Sequence, residues 1–180
     1  FYDYTTDGFY GDAYTFLSPS RENACNNNFT FGFDDYASLC RETGATSSLM
    51  FNVIQDSPAK AALRLQDRLT AGLTIDVVEL GNENFFAEQA MGNIAAVDGE
   101  ASVATYISHT KSVTTALKAV DSTVHVAVNI DRHSWGGEWN SALASETYYD
   151  GTIVHPYVKV NAFLFNEAAA KEILSSYRET

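Results

Sequence analysis

Four short, largely apolar runs alternate with segments of helical periodicity, and this alternation constrains the fold more than any other feature. The runs are Ser48 to Val53, Thr74 to Leu80, Val124 to Ile130 and Gly151 to Val154. Strands joined through helices predict a parallel sheet with right-handed crossovers. Before the first strand, Phe33, Tyr36, Leu39 and Cys40 recur at helical spacing, and Gly44 is a stop signal. After it, Ser57-Pro58 reads as an N-cap followed by a first-turn proline, with Ala61, Ala62, Leu65 and Leu69 as the apolar face. Residues 84–99 read as a long connection. The strongest helical pattern runs from Glu100 to Val120, with Val103, Tyr106, Ile107, Val113, Leu117 and Val120 on one side. A shorter helix is predicted over Glu138 to Glu146, and Asn166 would cap a last one. Residues 1–33, rich in Tyr, Phe, Asp, Gly and Asn, read as a long irregular region.

The whole chain reads as one domain over residues 1–180. Its 180 residues, 46% of them hydrophobic, suffice for a core and exclude a disordered chain. A net charge of −12 argues against nucleic acid or an anionic membrane as partner. No apolar run reaches the ~18 residues of a transmembrane helix. Tyrosines number 10 and phenylalanines 11, a composition that suits sugar stacking as well as an aromatic core. The two cysteines, Cys25 and Cys40, could form a disulfide or remain buried thiols, and Asn28-Phe29-Thr30 is a glycosylation sequon. Together with the acidic charge, they lead to the expectation of an extracellular, secreted protein.

The chemistry concentrates in Val77-Val78-Glu79-Leu80-Gly81-Asn82-Glu83. A buried parallel strand here ends in a small residue, an amide and a carboxylate. A carboxylate following such a strand stands on rigid backbone at the rim of the sheet, where α/β folds build their active sites. Partial desolvation there moves a carboxyl toward the range of general acid catalysis. A four-stranded parallel arrangement fits a small doubly wound domain and half of an eight-stranded barrel equally well. The other candidates are weaker. His109 lies within a helix, and His125 opens a strand at the end remote from the rim. His133 with Asp131 lacks a third metal ligand at sensible spacing. Trp135, beside Gly136-Gly137, is either a sugar platform or a loop anchor.

Glu79-Leu80-Gly81-Asn82-Glu83 resembles the strand-four signature of the retaining glycoside hydrolases with (β/α)8 barrels, in the form typical of the arabinofuranosidase, β-xylosidase and heparanase-like branches. Ile153-Val154-His155-Pro156-Tyr157 resembles the strand-six element of the same superfamily. The region from Gly32 through Cys40 to a strand ending at Asn52 is similar to its helix two and strand three. The resemblance covers residues 30–160 and implies a partial TIM barrel, strands three to six. It further implies Glu83 as general acid/base and Asn82 on the sugar 2-hydroxyl, with Asn52, His155 and Tyr157 lining the sugar pocket. It implies a carbohydrate substrate and no cofactor. It also requires a second carboxylate as nucleophile. No strand ending in Glu follows residue 160, and Glu167 after Asn166 merely suits a helix dipole. The expectation is therefore that the nucleophile and the remaining strands lie outside this chain, in flanking sequence or in another polypeptide. The alternative is a non-catalytic carbohydrate-binding or structural glycoprotein on the same scaffold.

Overall fold

The structure, a computed structural model, describes residues 2–3, 8–9, 33–86, 92–96, 102–131 and 137–155. Two strands, β1 (Tyr2–Asp3) and β2 (Gly8–Phe9), pair antiparallel, Tyr2 opposite Phe9 and Asp3 opposite Gly8. Within the region read as irregular, these four residues are strand, and the rest of residues 1–32 lies outside the described residues.

The rest alternates as the sequence pattern predicts. Helix α1 (Phe33–Thr43) leads to β3 (Ser47–Phe51), α2 (Pro58–Thr70) to β4 (Ile75–Leu80), α3 (Val103–Val120) to β5 (His125–Asn129), and α4 (Gly137–Ala144) to β6 (Gly151–Ile153). The strands form one parallel sheet in the order β3-β4-β5-β6. Each strand lies beside its neighbour in sequence, with no reversal of order among the described strands.

Local chemistry sets the element ends. Ser57 Oγ accepts from Lys60 N, and Pro58 fills the first turn of α2, where its missing N–H costs nothing. Helix α3 starts at Val103 and not at Glu100, because Ser102 Oγ accepts from Thr105 N and caps it there. The 84–99 connection contains a 3-10 turn, Gly92–Ile94, that puts Ile94 into the core.

Strand side chains alternate between faces. Leu49 and Phe51, Val78 and Leu80, and Val126 and Val128 join Leu65, Tyr106, Val113 and Leu117 of the helices in one hydrophobic cluster. At ~25 cal/mol per Å2 of apolar area, this burial is the main stabilising contribution. Glu79, Ala127 and Asn129 occupy the opposite face by the same alternation, and all three are buried. That second covered face is why the strands read as near-continuous apolar runs. Between α2 and the sheet rim, Asp56 is fully buried and paired with Arg64 and Lys60 of α2.

Cys40 is a free thiol, buried between α1 and β3 with Sγ 3.7 Å from Ser47 Oγ. The expected Cys25–Cys40 disulfide therefore gains no support; Cys25 and Asn28 lie outside the described residues.

Candidate active site

Toward its C-terminal end, strand β4 carries Glu79, and Glu83 follows just beyond it. Glu79 stands on the face turned away from the helices, next to Leu80 on the helix side. The chain then bends. Gly81 donates its N–H to Phe51 O at 2.9 Å and adopts φ 86°, a left-handed conformation that suits glycine. A Cβ at Gly81 would overlap Asn84 Oδ1 and come within 2.7 Å of Val53 Cγ2. Glu83 also has positive φ, at 49°, the one non-glycine residue in that region among the described residues. A non-glycine residue held left-handed costs of order 1–3 kcal/mol, and such strain gathers at functional sites. Beneath the bend, Asn84 is completely buried, and neither its amide oxygen nor its nitrogen has a hydrogen-bond partner. The loop that presents Glu83 is thus held at a local energetic cost.

His155, two residues beyond β6, comes back to this bend. Its Nε2 is 3.1 Å from Glu79 Oε1 and its Nδ1 is 3.5 Å from Glu83 Oε1. One imidazole therefore spans two carboxylates, all three groups largely shielded from water. Asn129, the last residue of β5, completes the cluster. Its Nδ2 donates to Glu79 Oε1 at 2.7 Å and to Gly81 O at 3.2 Å. The strand ends are held in turn from the helix side. Tyr106 of α3 donates its hydroxyl to Leu80 O at 2.7 Å and accepts from Asn129 N at 3.4 Å. Trp139 of α4 donates Nε1–H to Asn129 O at 2.9 Å and packs on Tyr106 with ring centres 4.9 Å apart.

Burial pushes the Glu79 carboxyl above its ordinary pKa; the facing His155 and the Asn129 amide pull it down, and the charge of Glu83 adds to the rise. Complete burial likewise raises Tyr106 well above the ordinary phenol value, so its hydroxyl stays a donor. The arrangement can hold a proton on any of three groups, Glu79, His155 and Glu83, at one rim of the sheet, which suits general acid/base work. Among the described residues no group of three His, Cys, Asp or Glu is placed to hold a metal ion.

The other residues singled out in the sequence fall in different places. Asn82 is partly exposed in the bend, between Gly81 and Glu83. Asn52 is buried just after β3, where its Oδ1 accepts from Ile54 N at 2.8 Å and Gln55 N at 3.0 Å, holding the turn that follows. His125 sits at the start of β5, exposed, 3.2 Å from Asp76 at the remote end of the sheet. His109 lies in α3, where burial lowers its pKa. Tyr157, Trp135 and His133 lie outside the described residues. Sequence reasoning passed over Glu79, Asn129, Tyr106 and Trp139 as members of this cluster. An acid within the apolar run Val77 to Leu80, and an Asn closing Val126-Ala127-Val128, were the available signals. No helix among the described residues is long and apolar enough to cross a membrane.

An α/β architecture with a parallel sheet, and acids gathered at the ends of its strands, defines a broad class that includes many hydrolases. The structure is similar to that of AbfB, a family 51 α-L-arabinofuranosidase from Bifidobacterium longum, with TM-score 0.56 and 18% sequence identity. The match covers 82% of this chain and 32% of that one, so the chain spans about a third of the length of that neighbour. At the level of the backbone, this α/β arrangement with a four-stranded parallel sheet is similar to a glycoside hydrolase barrel domain. No protein-family model and no curated protein matches the sequence.

Proposed function

We propose that this chain forms about strands three to six of a (β/α)8 barrel in a retaining glycoside hydrolase, with Glu83 as the general acid/base. The observation that carries the reading is the seat of Glu83: just past the C-terminal end of a parallel strand, left-handed, and 3.5 Å from His155 of the next-but-one strand. The unreversed order β3-β4-β5-β6 supports a barrel over a doubly wound sheet, whose order reverses at the switch point. The likeness to an arabinofuranosidase supports a carbohydrate substrate.

In this mechanism Glu83 gives its proton to the leaving glycosidic oxygen while a second carboxylate attacks the anomeric carbon. Glu83, now ionised, then takes a proton from the water that releases the sugar. The second carboxylate stands ~5–5.5 Å from the first in retaining enzymes; no described residue is assigned that part, and it comes from elsewhere in the barrel. Asn82 contacts the sugar 2-hydroxyl, and Asn52, His155, Tyr157 and Trp135 line the pocket. An extracellular setting suits a polysaccharide substrate and a net charge of −12.

The test is Glu83→Gln in the active protein. Glycosides with poor leaving groups should lose roughly 10²–10⁴-fold in rate, the contribution of a general acid. Activated aryl glycosides, whose leaving group needs no proton, should lose far less in the glycosylation step. Equal and small losses on both would refute the assignment.

A further inference from the structure

The acid/base reading leaves one buried acid unused. Glu79 shares its Oε1 between Asn129 Nδ2 at 2.7 Å and His155 Nε2 at 3.1 Å, and the opposite ring nitrogen of His155 faces Glu83 at 3.5 Å. We propose that Glu79 is a positioning residue: by accepting the Nε2 proton of His155 it fixes the tautomer of that ring and turns Nδ1 toward Glu83, so that His155 shares a proton with the general acid. This inference rests on Glu83 being that acid.

The geometry supports the role in three ways. First, Asn129 anchors Glu79 from the neighbouring strand, so the carboxylate that orients His155 is itself held; outer partners of this kind set the orientation and tautomer of functional histidines. Asn129 is fixed in turn by Trp139 through its backbone carbonyl. Second, Glu79 belongs to the strand itself and Glu83 to the bend beyond it, so His155 links a rigid position to a strained one. Third, the proton count balances. The proton-lending state has both carboxylates ionised and His155 protonated on both ring nitrogens. Moving its Nδ1 proton onto Glu83 breaks one N–H bond, forms one O–H bond and leaves a neutral imidazole still donating from Nε2 to Glu79. Total charge is unchanged. The separation of 3.5 Å is a little beyond a hydrogen bond, a gap that catalytic pairs close when substrate binds.

The charge of Glu79 has a further effect. It opposes loss of the shared proton to solvent, and so keeps Glu83 supplied to higher pH. Among the described residues, the ionisable groups facing the imidazole are Glu79 and Glu83 from the β4 segment. Tyr106 of α3, on the other side of the sheet, feels the charge of Glu79 only weakly and stays neutral, because burial raises it well above the ordinary phenol value.

The test begins with the wild-type protein, labelled with 15N on its histidines, of which the sequence has 4. The His155 signals are assigned by their loss in His155→Gln. Above its titration midpoint, His155 should carry its proton on Nε2; a ring protonated on Nδ1 would overturn the proposal without any change to Glu79. The second arm is Glu79→Gln, which keeps an oxygen for Asn129 and His155 but removes the charge. The preference of the neutral ring for the Nε2–H form should weaken, because an amide oxygen is a poorer acceptor than a carboxylate. The basic limb of the kcat/KM profile should move down in pH. An unchanged tautomer and an unmoved basic limb, with activity lowered equally at every pH, would leave Glu79 a purely structural part. The two readings fail separately. If Glu83→Gln spares poor leaving groups, the hydrolase reading falls, whatever the tautomer. If Glu83→Gln behaves as expected and His155 is the Nδ1–H form, only the role of Glu79 falls.

Discussion

Gly81→Ala should be strongly damaging, although it adds only one methyl group. Two costs combine. The residue is held at φ 86°, and a left-handed conformation costs a residue with a Cβ roughly 1–2 kcal/mol. The new Cβ would also overlap Asn84 Oδ1 and lie 2.7 Å from Val53 Cγ2. Both neighbours are fully buried, so neither can swing into solvent, and overpacking of this kind costs about 1–3 kcal/mol. The sum is roughly 2–5 kcal/mol, and each kcal/mol lowers Tm by about 2–4 °C in a chain of this size. Gly44→Ala is the control: φ is 69°, but nothing lies within 4 Å of the added atom, so only the backbone cost applies. Thermal melts of the two variants beside wild type separate overlap from backbone strain. Gly81→Ala should melt well below Gly44→Ala and should lose activity, because the displaced bend carries Glu83. Equal melting of the two variants would refute the packing argument.

Two further outcomes follow from the same contacts. Tyr106→Phe removes the hydroxyl that donates to the buried Leu80 O, and loss of that hydrogen bond should cost about 0.5–1.5 kcal/mol, measurable by urea denaturation. Asp150 accepts from Val126 N and Lys118 Nζ, each at 2.8 Å; burial alone would raise its pKa, but these two donors outweigh it and hold the carboxyl below its ordinary value. A depressed native pKa contributes stability above the ordinary carboxylate value that is lost as pH falls through the native one. Asp150→Asn should therefore be less stable than wild type near neutrality, with the difference shrinking in acid; a difference that grows in acid would contradict the assigned ion pair.

Much of the architecture was legible because the period of the apolar residues changes between elements. Val77-Val78 and Val126-Ala127-Val128 could only be buried strand, and Tyr106, Ile107, Val113 and Leu117 could only be one helix face. Boundaries moved where a cap decided them, as Ser102 did for α3. The pairing of Tyr2 with Phe9 was illegible, since two-residue strands carry no period. Within the site, Glu83 stood out by its place after a strand. Glu79 did not, because reading Val77 to Leu80 as an apolar run hides the acid that faces away from Val78 and Leu80. Asn129 and His155 come together with it only through sheet register, Asn129 opposite Ile153 in the β5–β6 pair. Register depends on tertiary contacts that a linear pattern does not contain.

The stereochemistry of the first sugar released tests the central claim most directly. The active protein is mixed with aryl glycosides, α-L-arabinofuranosides among them, and the anomer formed first is followed by proton NMR before mutarotation. A Glu83 that serves as acid and then as base in a double displacement predicts a product with the same anomeric configuration as the substrate. First release of the opposite anomer would mean a single displacement by water and would contradict the account.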